Sequence, residues 1–477
     1  MNAGLGSIMC SYNKINNTWS CENPNTLGTD APYNGLKGAN SLNFSGWVMS
    51  DWGATHSTSL TQGLDQEMPG SKYMNEGAIT AGLSAGTITQ KRIDDAVMRQ
   101  LTPMFQVGVF DLKGYGKLTD NVTSAAHNML ARKLSAEATV LLKNEGGVLP
   151  LKSTTQKIAV IGWADGSHIQ TGGGGSGSVA PYYQASPFAA IKKRVAGSVY
   201  LDGKDTAAAA TAAKAADVAI VFVATTSSEG SDRKTLALKD NGDALVAAVA
   251  AAQPNTIVVA ATPGALLTPW SSSVKALLTN FMPGQESGNA IADVLFGDVN
   301  PSGKLPLTFP NKDNEVDFAP RNYPGIFNDK ADPKQQEAYY EEKLLVGYRY
   351  YDAKKITPKF AFGFGLSYTT FKYSDIKATK DSVSFTLTNS GSVKGAEVAQ
   401  VYLGFPASAG EPPLQLKGFK KVMLAPGAKA TVTIKLTDRS FSTWDVGTHG
   451  WKVEKGSFSV QVGGSSRNAA LTGSITV

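Results

Sequence analysis

Gly46-Trp47-Val48-Met49-Ser50-Asp51-Trp52-Gly53 (GWVMSDWG) is the stretch that decides how this chain is read. A short run of apolar and small residues ends abruptly in a carboxylate, which an indole follows. Such a run is expected to form a strand, Trp47–Ser50, buried on both faces of a parallel sheet, with Asp51 at its tip facing a site. Asp is also a favoured helix N-cap, so the local pattern by itself leaves capping or turn formation open beside catalysis.

Outward from this stretch the pattern is one of strands alternating with helices. Gly6–Ser11 reads as a second buried strand, and Asn75–Ala85 and Thr89–Gln106 read as helices. That alternation argues for parallel α/β units over residues 1–112. Residues 113–123, rich in Gly, Lys and Asp, read as a linker.

The next region, 124–312, repeats the alternation. A helix over His127–Leu142 precedes strand Lys157–Gly162, and the Ala-rich helix Thr206–Ala216 precedes strand Asp217–Thr225. Helix Asp243–Ala252, strand Thr256–Ala261, strand Lys275–Phe281 and helix Ser287–Phe296 complete a doubly wound α/β pattern. Residues 313–364 form a long, polar and aromatic connection, expected to be extended over a neighbour. From 365 to 477 the period becomes two, at Val383–Thr388, Glu397–Gly404, Ala430–Leu436 and Gly456–Val462, which predicts an antiparallel β-sandwich.

The 477 residues suffice for two to four domains of ~150 residues. A net charge of +6 is mild at this length, and no Lys/Arg run resembles a nucleic-acid or membrane patch. No stretch approaches the ~20 apolar residues of a membrane span. Four histidines and two cysteines make a metal centre an unfavourable reading, and no cofactor motif stands out. Cys10 and Cys21 read instead as a short-loop disulfide of an oxidising compartment. The sequons at Asn16, Asn43 and Asn121 agree with an extracellular protein. Met1–Gly6 lacks the basic and apolar regions of a signal peptide, so a segment upstream is expected.

Two glycine-bearing loops invite comparison with phosphate-binding motifs. Neither Ile161–Gly166 nor Gly172–Gly175 matches G-x-G-x-x-G, and no G-K-[ST] follows. The run Gly172–Gly175 more naturally allows a loop to approach a ligand or another domain. The better site candidate is Thr225–Asp232 (TTSSEGSD), which places Glu229 beyond the carboxyl end of a strand. A solvated loop glutamate is the plain alternative.

At this point several segments together resemble glycoside hydrolase family 3, as found in secreted fungal β-glucosidases. They are Met9–Asn13 (MCSYN), Met49–Gly53 (MSDWG), Gly63–Gly70 (GLDQEMPG), Ala138–Leu151, Pro283–Phe309 and Tyr348–Phe371. The resemblance spans nearly the whole chain in the expected order. It implies a (β/α)8-type barrel, of which residues 1–112 are the C-terminal portion, then an α/β sandwich domain and a fibronectin III-like domain.

The resemblance also implies the site. Asp51 is the nucleophile and Glu229 the acid/base, with Glu286 of PGQESGN as its rival. Glu286 opens a helix, where a carboxylate has an ordinary stabilising explanation. Met9, Tyr12, Trp52 and Ser176 are expected to line the sugar subsite. Retaining hydrolysis of β-glucosides asks for the two carboxyls ~5–5.5 Å apart, one ionised and one protonated at the outset.

MCSYN and MSDW resemble the sixth and seventh barrel strands, and a whole barrel takes about 250 residues. The sequence is therefore expected to be a fragment with little activity alone. A β-xylosidase and a non-catalytic carbohydrate-binding protein are the alternatives. The expected partner is an oligosaccharide or β-glucoside substrate, with no nucleic acid and no membrane, and the chain a monomer or homodimer.

Overall fold

The computed structural model describes residues 4–28, 35–38, 42–117, 119–152, 155–166, 168–327, 336–448 and 450–477. The chain divides into two compact units, Met1–Asn121 and Val122–Val477.

In the first unit, strands β1 (Ser7–Cys10) and β2 (Trp47–Ser50) pair in parallel, from Ser7 opposite Trp47 to Cys10 opposite Ser50. A Cβ on Gly46 would stand 2.0 Å from the Gly6 carbonyl oxygen, so only glycine lets the strands begin this close. β2 departs from the expectation of two buried faces. Val48 and Ser50 are fully buried, whereas Trp47 and Met49 are half-buried. Alternate side chains point to opposite faces, and only the Val48 side packs into the cluster of Cys10, Leu27, Phe44 and Leu64.

Helices α1 (Glu76–Ser84) and α2 (Gln90–Gln106) are each started by a side-chain cap. Asn75 Oδ1 accepts from the Ala78 amide and Thr89 Oγ1 from the Arg92 amide, satisfying donors the first turn leaves free. Buried Asp65 ties α2 to β2. One of its oxygens accepts from the Val48 amide at 2.7 Å and from Lys37 Nζ at 2.5 Å. The other accepts from Arg92 at 2.6 Å. Burial pulls the Lys37 ammonium down to about 8 despite the opposing charge of Asp65. Cys10 and Cys21 are joined, with sulfurs 2.01 Å apart.

The second unit opens with α3 (Ala125–Ala138), capped by Ser124, and β3 (Val140–Asn144). The helix expected over His127–Leu142 therefore ends sooner, and its last residues belong to a strand. Thr139 is extended, and its hydroxyl bonds back to the Ser135 carbonyl at 3.0 Å. Val140, Leu141, Lys143 and Asn144 then pair with a strand far along the chain, an interaction no local pattern reveals.

The remaining elements of this α/β layer are β4 (Ile158–Gly162), α4 (Pro187–Arg194), β5 (Val199–Leu201), α5 (Thr206–Lys214) and β6 (Val218–Ala224). They continue with α6 (Gly242–Ala252), β7 (Thr256–Ala261), β8 (Ala276–Thr279) and α7 (Ser287–Leu295). The sheet order is β3-β8-β7-β6-β4-β5, parallel except for β3 at one edge. Strand β5 was not foreseen, because its three residues are too short to show a period. α3, α4 and α7 cover one face and α5 and α6 the other. β6 is buried at all seven positions, as a central strand with helices on both faces must be. Strand order reverses between β4 and β6, so the loops leaving their carboxyl ends flank the crevice where open α/β sheets hold ligands.

Among the described residues of the connection over 313–364, the one helix is α8 (Tyr348–Ala353). The β-sandwich follows. One sheet joins β9 (Phe371–Ala378), β10 (Ser382–Asn389) and β13 (Lys429–Lys435). The other runs β12 (Gln415–Leu424), β11 (Gly395–Gly404), β16 (Ser457–Gly463), β17 (Leu471–Thr476). Strict alternation puts Val383, Phe385 and Leu387 of one sheet against Val401, Leu403, Val460 and Val462 of the other. A separate hairpin pairs β14 (Ser442–Asp445) with β15 (Gly450–Val453). Among the described residues no helix is long and apolar enough to cross a membrane. No group of His, Cys, Asp or Glu among them could hold a metal ion.

Candidate active site

Asp51 sits immediately beyond β2, and its amide bonds to the Cys10 carbonyl at 3.1 Å. No helix starts there. The next helical turn is Leu60–Gln62, so Asp51 caps no helix, but it does open a turn in which its carbonyl accepts the Ala54 amide at 3.1 Å. One carboxylate oxygen accepts from the Tyr12 hydroxyl at 2.8 Å and from the Trp52 amide at 2.7 Å. Both donors are neutral, so they orient the carboxylate without cancelling its charge. Met9, Tyr12 and Trp52 are each about half exposed, at 52%, 51% and 56%.

Segments on either side fix this corner. Ser50 Oγ accepts from the Met68 amide at 2.8 Å, and the Trp47 indole donates to Gln66 Oε1 at 3.1 Å. Glu67 takes Thr55 Oγ1 and the amides of Tyr73 and Met74. The GLDQEMPG segment thus supplies three consecutive residues, Asp65 to Glu67, that brace the strand and the loop after Asp51. Nothing in its local pattern marks those roles.

In the second unit, Glu229 lies on the exposed loop that leaves β6. The glycine run approaches this loop directly. The Gly174 amide bonds to the Ser227 carbonyl at 3.0 Å, and Gly174 pairs with Ser228 as an isolated bridge. Ser176 then grips Glu229 Oε2 twice, by its amide at 2.7 Å and its hydroxyl at 2.5 Å. Gly175 has φ +84°, and a Cβ there would come within 2.3 Å of Glu229 Cβ. Both the backbone conformation and the space demand glycine.

Glu286 is placed differently. It is 4% exposed, its Oε1 takes the Tyr183 hydroxyl, and its Oε2 takes Asn289 Nδ2 at 2.7 Å. The hydrogen bond to Glu286 raises the Tyr183 hydroxyl above its ordinary pKa. Glu286 therefore anchors the start of α7 against the Tyr183 segment. Beside the Glu229 loop, residues between Thr225 and Lys239 line a cavity of about 340 Å³. Of the lining residues, Asp232 accepts from the Tyr323 hydroxyl, and Arg233 reaches the Ala265 carbonyl at 3.0 Å.

Sequence and structure comparisons match these features. Residues 139–368 match the glycosyl hydrolase family 3 C-terminal domain, and residues 397–466 match a fibronectin type III-like domain. The chain is 40% identical to the probable beta-glucosidase L of Aspergillus terreus over 547 aligned positions, covering all of this chain and 72% of that protein. It is 38% identical to the probable beta-glucosidase G of Emericella nidulans, again over all of this chain and 68% of that protein. Among solved structures, beta-glucosidase D2-BGL from Chaetomella raphigera superposes with a TM-score of 0.88 at 37% identity, covering 100% of this chain and 73% of that one. The beta-D-glucoside glucohydrolase of Trichoderma reesei gives 0.87 at 35% identity, with the same coverages.

An α/β domain followed by a fibronectin-like sandwich, with exposed carboxylates on loops at strand ends, defines a glycosidase architecture. The chain belongs to glycosyl hydrolase family 3.

Proposed function

We propose that this protein is a β-glucosidase that releases terminal β-D-glucosyl residues by a retaining, two-step mechanism. Asp51 is the nucleophile. It attacks the anomeric carbon, forming a glycosyl–enzyme ester while the aglycone oxygen departs. Glu229 is the acid/base: it gives its proton to that leaving oxygen, then removes one from the water that cleaves the ester. The observation that carries the reading is the state of Asp51 at its strand tip. Its carboxylate accepts from two neutral donors, the Tyr12 hydroxyl and the Trp52 amide, and it serves no helix. Such a carboxylate is held in a fixed orientation, as a nucleophile must be.

Trp52, Met9 and Tyr12 supply apolar and hydroxyl surface for a sugar ring, and Ser176 orients the acid/base. The substrate class is β-glucosides and cello-oligosaccharides. The protein works outside the cell, a reading supported by the buried Cys10–Cys21 disulfide and by the exposed sequons Asn16, Asn43 and Asn121. Residues 1–112, 124–312 and 365–477 are taken as barrel portion, α/β domain and fibronectin-like domain.

The test is mechanism-based labelling. After incubation with an activated 2-deoxy-2-fluoro-β-glucoside, the peptide containing Asp51 should carry the sugar, and Asp51→Asn should remain unlabelled. A label on any other carboxylate would overturn the assignment.

A further inference from the structure

The β-sandwich carries cations that no carboxylate pairs. Residues 411–455 contain eight Lys and Arg against four Asp and Glu. Within this region and beside it, Arg349, Lys417 and Arg439 form no ion pair among the described residues. Their elements are held together. The Tyr348 hydroxyl accepts the Leu416 amide at 2.9 Å, bringing the start of α8, and Arg349 with it, to the Lys417 segment of β12. Lys417 lies over the Phe405 ring at 4.8 Å, and Phe405 meets Phe458, which meets Phe441 two residues beyond Arg439.

Their electrostatics are strained. Arg349 Nε is buried without a partner. Lys417 is pulled down to about 8, chiefly by burial, with Arg439 and Arg349 adding to the effect. Glu411 opposes it, yet Glu411 is itself engaged by Gln415, whose oxygen takes Lys417 Nζ at 2.9 Å. Three like charges with a single carboxylate, Glu411, near one of them cost stability, and an incoming anion would relieve that cost.

The aromatic neighbours indicate what kind of anion. Arg439 lies over the Trp451 ring, and Trp451 faces Trp444 across the β14–β15 hairpin, centroids 5.2 Å apart. Both indoles are about half exposed, at 49% and 46%. An indole face packs the C–H surface of a sugar ring, and a guanidinium fork matches a carboxylate in its plane. The indoles meet edge to face at 66°, which offers no parallel slots for successive nucleobases.

We propose that Arg349, Lys417, Arg439, Trp444 and Trp451 form a binding face for an acidic polysaccharide, one whose sugars carry uronic-acid carboxylates. It is a docking site separate from hydrolysis, and its test needs no turnover.

The test is calorimetric titration of the full chain with a polygalacturonate hexamer, cellohexaose and a single-stranded DNA oligomer of equal charge. The acidic hexamer should bind at least tenfold more tightly than either control. Trp444→Ala and Arg439→Gln, both on exposed side chains, should each weaken it fivefold or more with unchanged melting temperature. Equal binding of cellohexaose or DNA, no binding of the hexamer, or folded variants that bind like the parent would each overturn the proposal. Should Arg439→Gln fail to fold, Trp444→Ala and the parent titrations decide alone.

Discussion

Ser176 holds a single oxygen of Glu229, Oε2, with both its backbone amide and its hydroxyl, at 2.7 and 2.5 Å. Two donors on one oxygen hold the Glu229 carboxyl group in one orientation. The residue in between, Gly175, makes the grip possible by having no side chain.

Gly175→Ala should therefore be worse than Ser176→Ala. The alanine Cβ would stand 2.3 Å from Glu229 Cβ in a backbone conformation at φ +84°, so Glu229 must move. Removing the Ser176 hydroxyl loses one hydrogen bond to a charged group, worth about 1.5–3 kcal/mol, or roughly 10–100-fold in kcat/KM. Steady-state kinetics on an aryl β-glucoside should rank the variants in that order, with circular dichroism showing both folded.

The two glutamates should separate by the kind of damage they cause. Glu229→Gln should abolish turnover of glucosides with poor leaving groups while leaving the melting temperature unchanged. Glu286→Gln should unsettle the Tyr183 and Asn289 contacts, costing about 1–3 kcal/mol of stability. Its kcat, measured well below its melting temperature, should stay within a few-fold of the parent. The reverse pattern would make Glu286 the acid/base.

Opening the Cys10–Cys21 bridge should weaken the first unit selectively. The bond closes a loop with a sequence separation of 11, for which chain entropy gives about 2–3 kcal/mol. Urea unfolding of the doubly substituted Cys10→Ser, Cys21→Ser protein should show an earlier transition for Met1–Asn121. The sandwich transition should not move.

Lys37 should give stability an alkaline slope. Its folded value is about 8, against 10.5 for a free lysine. Between those values the unfolded chain binds more protons at this side chain than the folded one, so stability rises with pH across that window. The contribution amounts to about 3 kcal/mol when complete. Below pH 8 both states are charged and the slope vanishes. Urea midpoints measured from pH 7.5 to 9.5 should rise more steeply for the parent than for Lys37→Met, and equal slopes would refute the assignment.

How legible each feature was follows from the range of the forces that make it. Trp47–Ser50, Val218–Ala224 and Thr256–Ala261 were plain because a strand packed in a core writes an unbroken or alternating apolar run. The helix expected over His127–Leu142 overran because Val140–Leu142 suits either state. Its pairing with Ala276–Thr279, well over a hundred residues later, decides for strand. The glycine run was marked as a close-approach loop, but its object, Glu229, lies about fifty residues further on.

By itself the sequence determined the order of α/β layer and β-sandwich and the family, and it singled out Asp51 and Glu229 as candidates, since burial period and short motifs are local properties. Only the tertiary structure decided that Asp51 caps nothing, that Ser176 clasps Glu229 across Gly175, and that Glu286 is consumed in anchoring a helix. Those outcomes are set by distances between residues remote in the chain, and such distances exist only once the backbone has folded.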